Sequence, residues 1–332
     1  MLEVKNLTKK YGSKVAVDNI SFTVPNGRVT GFLGPNGAGK STTMRLITGL
    51  EHSNSGTALV DNVPYRALAA PITSVGALLD GKSFHPGRTA YQHLRTLALT
   101  HSIPVSRVKE VLELAGISSV ANRKVGKFSL GMTQRLGIAS VLLGDPENII
   151  LDEPVNGLDP EGVVWVRQLA HYLASEGKAV LISSHLMSEM QLTADDLIII
   201  GRGRLLEHTS MQQLLDRVSE HRFLVRTDER ERLQTLLRAR SIDLEPLEHD
   251  ALMVQAPAEE IARLALDERI LIYELSSRKA TLEDVYLQLT RGEEEYSSLA
   301  PNASAAPAEE PAAPASVIPW QDSSSPNPAG KE

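Results

Sequence analysis

Residues 1–33 alternate apolar and polar positions in the two-residue period of strands, with turn signals at Tyr11-Gly12 and Pro25-Asn26-Gly27. From Ser41 to Leu50 the apolar spacing shifts to that of a helix, which ends at Gly49. Residues 88–116 keep helical spacing, interrupted by Pro104 and closed near Gly116, and a further helix is expected from Leu130 to about Leu143. Asn148–Leu151 is a short apolar run between polar residues, the pattern of a strand buried on both faces of a parallel sheet. A helix follows over about Glu161–Ser175, then strands at Ala179–Ser183 and Asp196–Ile200. Strands alternating with helices predict an α/β fold with a mainly parallel sheet over residues 1–218. The block at 88–143 carries no convincing strand, so a helical subdomain, about 81–144, is expected to be inserted into that fold.

A second unit, 219–292, repeats a shorter pattern. His221–Thr227 reads as a strand and Glu229–Arg240 as a helix; Ile242–Glu248 and Ala251–Ala256 make a hairpin turning at His249-Asp250. Glu259–Leu266 is helical, Ile270–Leu275 a strand, and Thr281–Thr290 a helix with Thr281 as its N-cap. That βαββαβ order predicts a small ferredoxin-like α+β domain. Residues 293–332 are rich in Pro, Ala, Ser and Glu and are expected to stay disordered, with Val317-Ile318-Pro319-Trp320 as an apolar island.

Charge narrows the partners. From Glu293 onward seven acidic residues face one lysine, a net −6, which leaves −1 of the total −7 for the rest of the chain. A near-neutral body offers no electrostatic footprint for nucleic acid. There is no cysteine, so disulfides and thiolate metal sites are excluded. No apolar run reaches the roughly 18 residues that a bilayer crossing needs, and MLEVKNLTKKYG lacks the core of a signal peptide. A cytoplasmic location is the expectation.

The candidate chemistry begins with Gly34-Pro35-Asn36-Gly37-Ala38-Gly39-Lys40-Ser41, which fits G-x-x-x-x-G-K-[ST] between an expected strand, Val29–Leu33, and the helix at Ser41. The glycines let successive backbone N–H groups turn inward toward phosphate oxygens, and the helix N-terminus adds partial positive charge. Lys40 supplies a full charge to β- and γ-phosphates, and Ser41 offers its hydroxyl to Mg²⁺. Ile149-Ile150-Leu151-Asp152-Glu153 fits the metal half of such a site. A strand carries Asp152 to its carboxyl end, where it would hold Mg²⁺, and Glu153 would polarise the attacking water.

With these two elements in place, about residues 1–210 resemble the ABC ATPase family. Ser129 and Gly131, in Phe128-Ser129-Leu130-Gly131-Met132, match the family's LSGGQ signature, whereas Phe128, Leu130 and Met132 depart from it. Gly157-Leu158-Asp159-Pro160 is similar to the D-loop, and Ser183-Ser184-His185 ends a strand as the switch histidine does. The resemblance implies that ATP is held by Gly34–Ser41, Thr42 and Tyr11, whose ring would stack on adenine. It also implies contacts from Ser129, Gly131 and Asp159, and catalysis by Glu153, His185 and Lys40. Tyr11 also reads as an ordinary strand-edge aromatic, and Asp159 as a cap of the helix that Pro160 starts. The Q-loop glutamine is replaced, in Val75-Gly76-Ala77-Leu78-Leu79-Asp80, by Asp80, a carboxylate able to ligate Mg²⁺ beside Ser41 and Asp152.

Acidic replacements there, and a ferredoxin-like appendage, are similar to ABC exporters of the antibiotic-resistance type. The resemblance implies a subunit peripheral on the cytoplasmic face of the membrane. Its phosphate loop and signature would act in trans, within a homodimer or with a second ATPase. It would drive an integral membrane permease through the 76–100 region. Two other readings stand beside this one: a soluble ABC ATPase without a transport role, and an ATP-binding regulator.

Overall fold

A computed structural model describes residues 1–79, 84–219, 222–247, 250–278 and 281–290. The chain opens with β1 (Leu2–Tyr11), β2 (Lys14–Val24) and β3 (Arg28–Leu33), followed by α1 (Lys40–Ile47), which Gly49 closes in a left-handed conformation at φ 64°. β4 (Ser55–Val60), a single turn α2 (Pro71–Ser74) and β5 (Val75–Leu78) come next. The expected helical block divides at Pro104 into α3 (Ala90–Thr100) and α4 (Ser106–Leu114), then continues as α5 (Leu130–Leu142). Thr89 and Gln92 form a reciprocal capping box that fixes the start of α3. β6 (Asn148–Leu151), α6 (Pro160–Ser175), β7 (Ala179–Ser183), α7 (Met187–Thr193), β8 (Asp196–Gly201), β9 (Arg204–Ser210) and α8 (Met211–Ser219) complete the larger body.

Its main sheet has the order β5-β6-β7-β3-β8-β9, parallel except for β9 at the edge. Strands β6, β7, β3 and β8 are buried on both faces, and their successive side chains divide between two cores. Ile149, Leu151, Val180, Ile182, Leu197 and Ile199 pack with the helices. Ile150, Leu181, Ile198 and Phe32 pack instead with α1 and the antiparallel sheet β2-β1-β4. That double cover is why β6 reads as an apolar run from Ile149 to Leu151. The block carrying α3, α4 and α5 packs on β5. A Cβ at Gly76 of β5 would come within 2.6 Å of the Val141 carbonyl oxygen of α5, so this close approach requires glycine.

The second unit contains β10 (Arg222–Arg226), α9 (Arg230–Ala239), β11 (Leu244–Pro246), β12 (Ala251–Gln255), α10 (Ala258–Asp267) and β13 (Glu274–Ser277). These strands form an antiparallel sheet ordered β11-β12-β10-β13, the split βαβ arrangement of a ferredoxin-like fold. Two details differ from the sequence expectation. The last strand begins at Glu274 rather than at residue 270, because Ile270 and Ile272 pack into this small core from a segment outside the ladder. The final helix, α11 (Leu282–Thr290), puts Leu282 and Val285 into the main core with α7 and α8 instead. Of the hairpin's turn, His249 lies outside the described residues, as do Glu248 and the whole segment from 291.

Thr281 does cap α11: its hydroxyl accepts from the Asp284 N–H at 3.2 Å, and Asp284 Oδ2 accepts from the Thr281 N–H at 2.9 Å. Asp284 also pairs with Arg222 of β10, at 2.5 Å from Nη1, which joins the small sheet to α11. Burial works against the Asp284 charge, but Arg222 and the Thr281 N–H and hydroxyl outweigh it and hold the carboxyl below its usual value of 3.8. A depressed carboxyl stabilises the fold above the unfolded value and loses that contribution as pH falls through the folded one. Asp284→Asn should therefore melt several degrees below wild type at pH 7, measured by calorimetry. The gap should narrow as pH falls below 3.8.

Candidate functional site

Three neighbouring parallel strands of the main sheet, β6, β7 and β3, converge with their carboxyl ends on the loop between β3 and α1. A cavity of about 650 Å³ opens there. Pro35, Asn36, Gly37, Ala38, Gly39, Lys40, Ser41 and Thr42 form one wall, Asp152 and Glu153 another, and Tyr11 stands at the side. Gly39 enters α1 with φ 104°, and a Cβ there would meet the Ala16 carbonyl oxygen at 2.4 Å, so the tight entry admits only glycine. The N-terminus of α1 and the loop before it line the cavity, a placement suited to an anion. Lys40 Nζ donates to the carbonyls of Gly34, at 2.5 Å, and Pro35, at 3.2 Å. Burial lowers its pKa, while Glu153 and Asp152 pull the other way and favour the ammonium.

The opposite wall is an ordered chain of oxygens. The Ser41 hydroxyl donates to Asp152 Oδ2 at 2.7 Å, and the Ser183 hydroxyl donates to Asp152 Oδ1 at 2.6 Å. Ser183 in turn accepts from the Glu153 backbone N–H at 2.8 Å. Glu153 is held at φ 50°, a left-handed conformation uncommon for a residue with a Cβ. Its Oε2 lies 2.8 Å from His185 Nδ1. The His185 side chain is 61% exposed and faces Glu153 from the end of β7.

The remaining expected residues are placed differently. Ser129 is exposed at the N-terminus of α5, where its side chain accepts from the Met132 N–H at 3.2 Å. Neither Ser129 nor Gly131 lines this chain's own cavity, although Leu130 and Gln134 of the same helix do. Asp159 caps α6 by accepting from the Gly162 N–H at 2.9 Å. Asp80 lies outside the described residues.

Ser183 and Gln134 belong to the site but were not singled out in the sequence. For Ser183 a signal existed: β6 and β7 pair Leu151 with Ile182, so the next position on each strand sets Ser183 beside Asp152. Gln134 approaches the Glu153 carbonyl, at 3.4 Å, from one helical turn after Leu130, and no local pattern marks it.

Residues 17–156 match a family model described as ABC transporter. The chain is 33% identical over 294 residues to the uncharacterized ABC transporter ATP-binding protein YhcH of Bacillus subtilis (strain 168), covering 87% of this chain and 96% of that one. The chain belongs to the ABC transporter ATP-binding family. It is thus an ATP-binding, ATP-hydrolysing subunit of the transporter type. A second relative is the bacitracin transport ATP-binding protein BcrA of Bacillus licheniformis, 40% identical over 221 residues, or 65% of this chain and 72% of that one. The dimeric structure of MJ0796, a bacterial ABC transporter cassette, superposes with a TM-score of 0.59 at 23% identity, covering 64% of this chain and 99% of that one. That likeness bears on the fold. Residues 221–283 of this ABC ATPase match a domain of unknown function, DUF8746. Among its described residues no helix is long and apolar enough to cross a membrane.

Proposed function

We propose that two copies of this ATPase pair head to tail around two ATP molecules, and that pairing and hydrolysis drive export through a separate membrane permease. The observation that carries this reading is the outward placement of the α5 N-terminus. Ser129 and Gly131 occupy a helix start suited to phosphate, yet neither lines the cavity that contains Lys40. Such a half-site is complete only when a second chain brings its own phosphate loop to it. MJ0796, described as a dimeric cassette, supports the pairing. The bacitracin transport relative and the small C-terminal domain support an exporter of the antibiotic-resistance type.

Within each site the phosphate loop, Pro35–Ser41, and the Lys40 ammonium hold the β- and γ-phosphates. Tyr11, which lines the cavity, stacks on the base. Water attacks the γ-phosphorus while the bond to the β–γ bridging oxygen breaks; Glu153 takes the water's proton, and ADP leaves with the bridging oxygen. His185 fixes the Glu153 carboxylate through their 2.8 Å contact. The donor set fits a divalent cation, because the Ser41 hydroxyl and the Asp152 carboxylate meet at 2.7 Å as two hard oxygen ligands. Bound there, Mg²⁺ would neutralise phosphate charge.

Coupling to a permease is tested by purification from detergent-solubilised membranes. The tagged chain is expected to bring down one polytopic membrane protein; recovery with soluble proteins alone would contradict the transport reading.

A further inference from the structure

Tyr11 ends β1 with its ring at the side of the cavity, and its side chain is anchored from behind. The phenol donates to Oε2 of Glu51. Glu51 lies just beyond α1, where its N–H donates to the Arg45 carbonyl at 3.2 Å. Its Oε1 accepts from Arg45 Nε at 3.1 Å, and its Oε2 lies 3.4 Å from Lys9 Nζ. Lys9 is itself fixed by donating to the His52 carbonyl at 2.8 Å, and its ammonium stands 4.8 Å from the centroid of the Tyr11 ring. Tyr11 lines the cavity and Lys9 does not, so the ammonium supports the ring through a cation–π contact without entering the site.

One carboxylate thus ties the aromatic ring of β1 to the helix that begins at the phosphate loop. Because Lys9 and Arg45 offset its charge, it does so without adding repulsion toward a triphosphate. The bond to the Tyr11 hydroxyl outweighs burial, and with Lys9 and Arg45 it holds the Glu51 carboxyl below its usual value. Burial and Glu51 together raise the phenol. Both directions keep donor and acceptor fixed at neutral pH.

A tyrosine 46% exposed at a strand end would otherwise have to be ordered when the base arrives. Immobilising such a side chain costs about 0.5–1.5 kcal/mol, equivalent to roughly 2- to 13-fold in affinity. We infer that Glu51 is a positioning residue that presets the Tyr11 ring for the base and registers it against the phosphate loop. The inference rests on the stacking role proposed for Tyr11.

The test compares Tyr11→Ala, Tyr11→Phe, Glu51→Gln and Glu51→Ala with wild type. KM and kcat for ATP are measured, together with inhibition by inorganic tripolyphosphate, which carries phosphates and no base. Tyr11→Ala should raise the ATP KM on the order of tenfold, the worth of one base–aromatic stack. Glu51→Ala and Tyr11→Phe should each raise it about threefold, with kcat and the tripolyphosphate Ki unchanged. Their combination should be no worse than either alone, because both remove one interaction. Glu51→Gln, which keeps an acceptor oxygen, should recover most of the affinity. If Tyr11→Ala raises KM and Glu51→Ala does not, stacking stands and the role of Glu51 falls. If Glu51→Ala weakens tripolyphosphate as much as ATP, Glu51 acts through Arg45 on the phosphate loop, and the inference is overturned. If Tyr11→Ala leaves KM unchanged, the stacking role and the inference fall together.

Discussion

Glu153→Gln should lower kcat for ATP hydrolysis by about 10²–10⁴-fold, the usual worth of a positioned general base. ATP affinity should be unchanged. The substitution preserves the shape of the side chain and an oxygen that His185 can still contact at the position now 2.8 Å from Nδ1. It also leaves the backbone bond from the 153 N–H to Ser183. What it removes is the proton acceptor. Single-turnover measurement of phosphate release, alongside calorimetric titration with ATP, separates the two effects. A variant that turns over at the wild-type rate would remove Glu153 from the mechanism.

Lys40→Ala should act on binding. The Lys40 ammonium lies within the loop wall, held by the Gly34 and Pro35 carbonyls. Loss of one partner from a close, largely desolvated charge pair costs about 2–5 kcal/mol, which corresponds to roughly 30- to several-thousand-fold in Kd. The neighbouring carboxylates Asp152 and Glu153 add to the loss, because without Lys40 they face the phosphates with less compensation. Stability should change little, since the two carbonyls released are at a cavity wall that water reaches. Calorimetry with ATP checks the affinity, and a thermal melt checks the fold. An unaltered Kd would mean that the backbone nest alone holds the phosphates.

The sequence made the central strands legible for a physical reason. β6 and β7 are covered on both faces, so burial demands apolar residues over Ile149–Leu151 and Ala179–Ile182 and leaves two continuous runs. The phosphate loop was legible because its glycines meet a backbone requirement, visible at Gly39 with φ 104°. Half-exposed edges were harder. β9, whose residues are mostly of intermediate exposure, lacks the alternation that marks a strand and pairs only because β8 offers an edge. Ile270 and Ile272 misled the placement of β13, since apolar residues mark burial and a strand requires a ladder partner as well. Helix α11 carries a helical pattern, but no pattern within a helix names the surface that it covers. Its packing with α7 and α8 is a tertiary choice. The same holds for Ser183, Gln134 and Glu51, which enter the site or its support by register and proximity.

Paired action is the claim on which the rest depends, and light scattering on the Glu153→Gln chain with ATP and Mg²⁺ tests it most directly. Each chain has a mass of 36.1 kDa, and slow hydrolysis should hold two of them together. The account predicts a species of twice that mass with ATP and its return to 36.1 kDa when Lys40→Ala is added to the same chain. A mass that stays at 36.1 kDa while bound ATP is present would contradict it.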